Sequence, residues 1–226
     1  MIRQYFKQAW RLLKENPVLS TISIIGTALA ICMIMVMVMS HQVKNAPYPP
    51  ETNRDRTLYV KWMSSREKSG KDTGSSNGPM GYAFAKACFK MLETPEAVTI
   101  VAYAPSAMVS MPGRNTAENY DKMLTDEAFW EVFDFTFIDG NPYTKADVDA
   151  GLRKAVITER TARETFGTTA VTGQRVLIDY TEFIVSGVVK DVSTLATAAY
   201  SQVWAPITSE TLPEGDGWAA WSSAYG

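Results

Sequence analysis

The chain has 226 residues, 46% hydrophobic and 20% charged, with a formal net charge of −2, a length that supports one sizeable core beside a membrane segment. The total hides an asymmetry: residues 1–16 carry Arg3, Lys7, Arg11 and Lys14 against Glu15 alone, so the head is +3 and the remainder −5. A basic head on a mildly acidic body excludes a nucleic-acid binder, which would carry its cations on the folded domain.

Residues 2–14 open the chain. Ile2, Tyr5, Phe6, Ala9, Trp10 and Leu13 recur at steps of three and four, and Arg3, Lys7, Arg11 and Lys14 form a matching stripe. This pattern predicts an amphipathic helix that lies on an anionic bilayer surface or packs on another protein at the cytoplasmic face. In either case the cations hold the head inside and the body follows the next helix out. Asn16 and Pro17 then read as an N-cap followed by a first helical position. Residues 18–40 contain no charge, and at ~1.5 Å per residue they span ~34 Å, enough for a hydrocarbon core of ~30 Å. The ten Val, Leu and Ile residues in this run favour insertion by roughly 3–6 kcal/mol together. The apolar core is too long for a cleaved signal peptide, and Lys44 and Ala46 make a poor cleavage site. A lipoprotein reading around Cys32 fails on the bulky Ile31 and the apolar residues beyond. Ser23, Gly26, Thr27 and Ala30 form a small-residue stripe of the kind that meets another transmembrane helix.

Beyond this helix, Pro47, Pro49 and Pro50 predict an extended exit over 41–55. Residues 57–63 alternate like a strand, and 64–78 read as an exposed loop. A helix is predicted over 79–92, with Phe84, Ala87, Cys88, Met91 and Leu92 on its buried face; free cysteine is usually buried. Strands follow at 96–104, 107–111 and 116–124, the last two joined by a turn at 112–115. A short helix over 126–133, an extended piece at 135–138 and a turn at 139–142 come next. Thr144 and Asp147 have capping-box spacing. A strand at 154–157 feeds a helix from Thr158 that Gly167 ends. Strands at 175–179 and 182–189 pair through a turn at Tyr180, and a last strand lies at 202–207. Helices and strands mix without a βαβ rhythm, so the fold class is α+β. The predicted domains are 1–16, 17–40 and 41–226. The apolar, aromatic stretch at 218–226 is an odd place for a domain to close and reads as a chain that continues.

Chemistry-bearing patterns are sparse. One histidine, His41, and one cysteine outside the membrane, Cys88, do not make a zinc site or a nucleophilic triad, and no phosphate-binding loop occurs. The acid pairs Asp126 with Glu127, Asp147 with Asp149 and Glu118 with Asp121 sit near helix ends and turns, where capping and solvation account for them. Trp130, Phe133, Phe135 and Phe137 read as core. No catalytic residue, cofactor or metal is expected.

Three ordered stretches carry a resemblance. Residues 126–140 read DEAFWEVFDFTFIDG, 155–167 read AVITERTARETFG, and 183–191 read FIVSGVVKD. With the basic head and apolar helix, they resemble the start of a MacB/FtsX-type ABC transporter permease. The resemblance implies an extracytoplasmic MacB-like periplasmic core domain, an ABC ATPase subunit as partner, and further transmembrane helices or a second permease protomer. It also implies a periplasmic partner protein, a bacterial inner-membrane location and motion transmitted outward from cytoplasmic ATP hydrolysis. It transfers no catalytic residue. The reading from another class is a membrane-anchored sensor or ligand-binding domain; an anchored enzyme is disfavoured by the missing constellation.

Overall fold

The computed structural model describes residues 2–66, 75–78, 80–104, 106–114 and 116–210. Two compact units divide between Ala46 and Pro47.

The first unit contains α1 (Ile2–Glu15) and α2 (Pro17–Asn45). Asn16 occupies the N-cap position of α2 but makes no side-chain capping bond; Pro17, which has no N–H to satisfy, begins the helix. The 29 residues of α2 amount to ~43 Å at ~1.5 Å per residue. The helix runs through residues 41–45, where the sequence predicts extended chain. Apolarity ends at Ser40, but nothing disfavours helix until Pro47, which pushes Ala46 to φ −67°, ψ 135°, as the residue before a proline must go. No residue of α2 is buried. The hydroxyls of Thr21, Ser23 and Thr27 donate to carbonyls four residues back at 2.7, 2.9 and 2.7 Å, which satisfies these polar groups inside the helix.

In the second unit, residues 57–62 form no strand. Leu58 and Trp62 of the alternating run are 88% and 68% exposed: alternation chooses a face but supplies no partner strand. The predicted loop instead contributes a small ribbon, β1 (Met63–Arg66) paired antiparallel with β2 (Ser75–Gly78). Backbone pairing needs no apolar side chain, so its Ser and Gly composition conceals it. α3 (Tyr82–Phe89) is shorter than predicted and turned the other way. Ala85 is its buried residue, while Phe84, Ala87, Cys88, Met91 and Leu92 are exposed. Two turns of helix with apolar residues nearly all round leave the buried side undecided by spacing alone.

β3 (Val101–Tyr103), β4 (Ala107–Ser110), β5 (Glu118–Tyr120) and β6 (Lys122–Thr125) follow. The single strand predicted over 116–124 is two strands in different places. β5 pairs with β4 at a sheet edge, whereas β6 lies between β3 and a later strand. The division falls at Asp121, whose carbonyl accepts from the backbone N–H of Gln202 and Val203 at 3.0 Å each. α4 (Phe129–Val132), β7 (Phe137–Gly140), α5 (Lys145–Asp149), β8 (Lys154–Thr158), α6 (Glu159–Phe166), β9 (Arg175–Ile178), β10 (Thr181–Val189) and β11 (Val203–Pro206) complete the unit.

Among the described residues the main sheet has nine strands in the order β3-β6-β11-β8-β10-β9-β4-β5, with β7 also on β10. β6 with β11 and β8 with β10 are parallel; the remaining pairs are antiparallel. β11 and most of β8 are buried at consecutive positions, the mark of strands covered on both faces. Trp204, Phe183, Ile157 and Val185 are fully buried in this core. Trp130 stands edge-on to Phe135, Phe137, Tyr143 and Trp204, with centroids 5.1, 5.5, 5.4 and 6.2 Å away, so the aromatic cluster is core packing. The fold is α+β. The aromatic stretch at 218–226 and residues 67–74 of the predicted loop lie outside the described residues.

Candidate functional site

Arg3, Lys7, Arg11 and Lys14 are all exposed on α1 at steps that keep them on one stripe. Arg11 pairs with Glu15 at 3.5 Å, an exposed contact of small energetic weight. Ser23, Gly26, Thr27 and Ala30 are exposed along α2. A Cβ placed on Gly26 would meet nothing within 4 Å, so that glycine is not required by its own unit.

The chain just past α2 is tied down tightly. Glu51 is 3% exposed. One of its carboxylate oxygens accepts from the backbone N–H groups of Ala198 and Ala199 at 2.8 and 3.2 Å. The other accepts from Arg54 Nε at 2.7 Å. Arg54 also donates to the Leu195 carbonyl at 2.8 Å, and its guanidinium lies 4.9 Å from the Tyr48 ring centroid. Burial opposes the charge on Arg54, but its bonds to Glu51 and Tyr48 outweigh that and hold the guanidinium above its ordinary value. The Pro50 carbonyl accepts from the Asp134 N–H at 2.8 Å. Residues 48–54 are therefore fastened both to the turn between β10 and β11 and to the chain after α4. Sequence reasoning missed this knot, because a lone Glu and Arg in a Pro-rich exit carry no spacing signal for partners at 195–199.

Three further buried charges, Lys122, Asp126 and Asp147, are structural. Lys122 in β6 reaches Asp179 at 2.7 Å and Glu210 at 2.8 Å. Asp126 accepts from the Thr99 hydroxyl at 2.6 Å and the Ile100 N–H at 3.0 Å, and it pairs with Lys90 at 2.7 Å. Asp126 is thus a tether for the chain entering β3 rather than a solvated helix end. Asp147 takes the capping-box role with Thr144 and pairs with Lys154 at 2.8 Å. An open cavity of about 260 Å³ lies beside Lys122, lined by Tyr103, Asp121, Thr197 and Tyr200 among others. Among the described residues no three His, Cys, Asp or Glu converge as for a metal ion.

The three sequence stretches meet in one place, and their distinctive residues have geometric roles. Gly140 has φ +67°, and a Cβ there would strike the Ser186 carbonyl. Gly187 lies where β7 crosses β10; a Cβ there would come 2.8 Å from the Phe137 ring and 2.9 Å from the Asn141 carbonyl. Thr158 caps α6 by accepting from the Thr161 N–H at 3.2 Å, Asp191 accepts from the Arg160 N–H at 3.0 Å, and Gly167 ends the helix at φ +78°. The distinctive residues of the three stretches hold strand crossings and helix ends.

One helix long and apolar enough to cross a membrane, followed by a separately packed α+β unit, is the organisation of a membrane-anchored protein with its domain outside the bilayer. The sequence profile of the MacB-like periplasmic core domain matches residues 20–222; the chain belongs to that family and carries a MacB/FtsX-type permease region. No curated protein matches it. Among solved structures it is similar to the extracellular domain of the noncanonic ABC-type transporter YknZ from Gram-positive bacteria, at 21% identity and TM-score 0.43, covering 52% of this chain and 58% of that one. It is also similar to the periplasmic region of MacB from Actinobacillus actinomycetemcomitans, at 18% identity and TM-score 0.43, covering 53% of each. A domain of a protein assigned as a permease from Porphyromonas gingivalis shares the fold, at 17% identity and TM-score 0.51, covering 66% of this chain and 62% of that one. The chain thus spans less than two thirds of each of these structures.

Proposed function

We propose that this chain is the permease part of a MacB/FtsX-type ABC transporter. It sits in a bacterial inner membrane with its amino terminus in the cytoplasm and residues 47–226 outside. The observation that carries this reading is the extent of the family match: it begins at residue 20, inside α2, and continues to residue 222. Helix and outer domain therefore belong to one family unit, as expected if motion of the helix is the business of the domain. ATP hydrolysis belongs to a separate P-loop subunit, and the chain itself is not an enzyme. The cationic stripe of α1 rests on the anionic inner leaflet near that subunit, and Ser23, Gly26, Thr27 and Ala30 meet further transmembrane helices or a second protomer. The work done is export or mechanotransmission to a periplasmic partner protein.

The test is affinity isolation of the chain from its own host in mild detergent. Co-isolation of an ABC ATPase whose hydrolysis rate responds to the chain is the expected result. Recovery of the chain alone, or with a histidine kinase, contradicts it.

A further inference from the structure

We propose that Glu51 is the point at which displacement of α2 enters the outer domain. This rests on the permease reading above and names the residues through which coupling passes. α2 ends at Asn45, and the knotted turn begins at Tyr48, which bridges to Glu51. Only Ala46 and Pro47 stand between them; two residues reach at most about 7 Å, and with Ala46 already extended the slack is smaller than that. Axial movement of the helix beyond that slack must pull on residues 48–54.

What receives the pull is specific. Glu51 holds the N–H groups of Ala198 and Ala199, and Arg54 holds the Leu195 carbonyl. Those three residues lie in the turn that joins β10 to β11, both interior strands of the main sheet. Bonds of 2.7 to 3.2 Å on both oxygens of this buried carboxylate make this a directional grip rather than a greasy contact. A buried ion pair is a poor way to add stability, since apolar residues of similar volume often do as well; its best-attested use is to fix one register. Here the register fixed is that of the chain leaving α2 against the β10–β11 turn. Glu51 and Arg54 are positioning residues in this account.

The test uses the full-length permease with its ATPase in nanodiscs. It follows amide hydrogen exchange over residues 193–201 with and without bound ATP. The wild type is expected to show a nucleotide-dependent change there. The double variant Glu51→Leu with Arg54→Met keeps volume and removes the bonds that these two side chains make to 195, 198 and 199; it is expected to lose that change while ATP hydrolysis persists. Asp147→Asn, which weakens the domain elsewhere, is expected to keep the response, so general destabilisation does not mimic the result. If the double variant does not fold, Glu51→Gln, which keeps an acceptor for the two amides but drops the ion pair, must show a reduced response. A full response in either Glu51 variant overturns the proposal and leaves the permease reading standing. No nucleotide-dependent change anywhere past residue 47 in the wild type overturns both.

Discussion

The ammonium of Lys122 lies 2.7 Å from the carboxylate of Asp179, which joins the buried strand β6 to the turn of the β9–β10 hairpin. That turn has both central residues in the left-handed region, with Asp179 at φ 48° and Tyr180 at φ 63°, as a two-residue hairpin loop demands. Asp179 also accepts from the Met108 N–H at 2.9 Å. One carboxylate therefore ties the hairpin to β4 and β6 together. Replacing Lys122 by Met removes a side chain that is 5% exposed and leaves two partly hydrated carboxylates. The expected loss is about 1–3 kcal/mol, below the usual cost of breaking a fully buried pair because the partners can rehydrate. A lower urea midpoint with an unchanged slope would record it.

The same group sets an alkaline limit. Burial works against the charge of Lys122, but the bonds to Asp179 and Glu210 outweigh it and raise its pKa. A raised folded value means the contribution is complete below the unfolded lysine value of about 10.4 and disappears as pH climbs through the folded value. Stability should be flat across neutral pH on this account and should fall at high pH more steeply in the wild type than in Lys122→Met.

Asp147 sets an acid limit of the opposite sign. The bond from Lys154, then the Thr144 N–H, holds its carboxyl below the ordinary value. A depressed folded value means the contribution is present above the unfolded value of about 3.9 and is lost as pH falls through the folded one. Thr144→Ala or Asp147→Asn should cost about 1 kcal/mol at neutral pH, the usual worth of such a cap. Asp147→Asn should also flatten the acid limb of an unfolding-versus-pH curve.

Gly187→Ala should be more damaging than Gly167→Ala. At Gly167 the penalty is conformational, about 1–2 kcal/mol for a left-handed alanine, because nothing lies within 4 Å of the new methyl. At Gly187 the methyl meets the Phe137 ring and a backbone carbonyl. Overpacking of that kind costs about 1–3 kcal/mol and can exceed it where backbone must move. Adding Phe137→Leu should recover part of the Gly187→Ala loss, so the two substitutions should be non-additive in denaturation.

Much of this was legible in the sequence, and the rest was hidden for identifiable reasons. The charge-free run announced α2, the Thr144–Asp147 spacing announced its capping box, and Gly167 announced the end of α6, because each is a local rule read over a few residues. Asp121 looked like one polar position in a strand, yet backbone bonds from Gln202 and Val203 divide that strand between two parts of the sheet. Residues 57–62 had the right alternation but no partner strand among the described residues. Cys88 and Phe84 followed a helical period that fixed which residues share a face but not which face turns inward. The anchor at Glu51 was the least visible, since its amide partners lie 147 and 148 positions away.

The most direct test of the account is the sidedness of the two cysteines. Cys88 is exposed on α3 and Cys32 lies within α2. In right-side-out spheroplasts a membrane-impermeant maleimide should label Cys88 at once, and Cys32 should stay unlabelled until detergent dissolves the bilayer. Labelling of Cys88 only after permeabilisation would put the domain on the cytoplasmic side and contradict the transporter assignment with it.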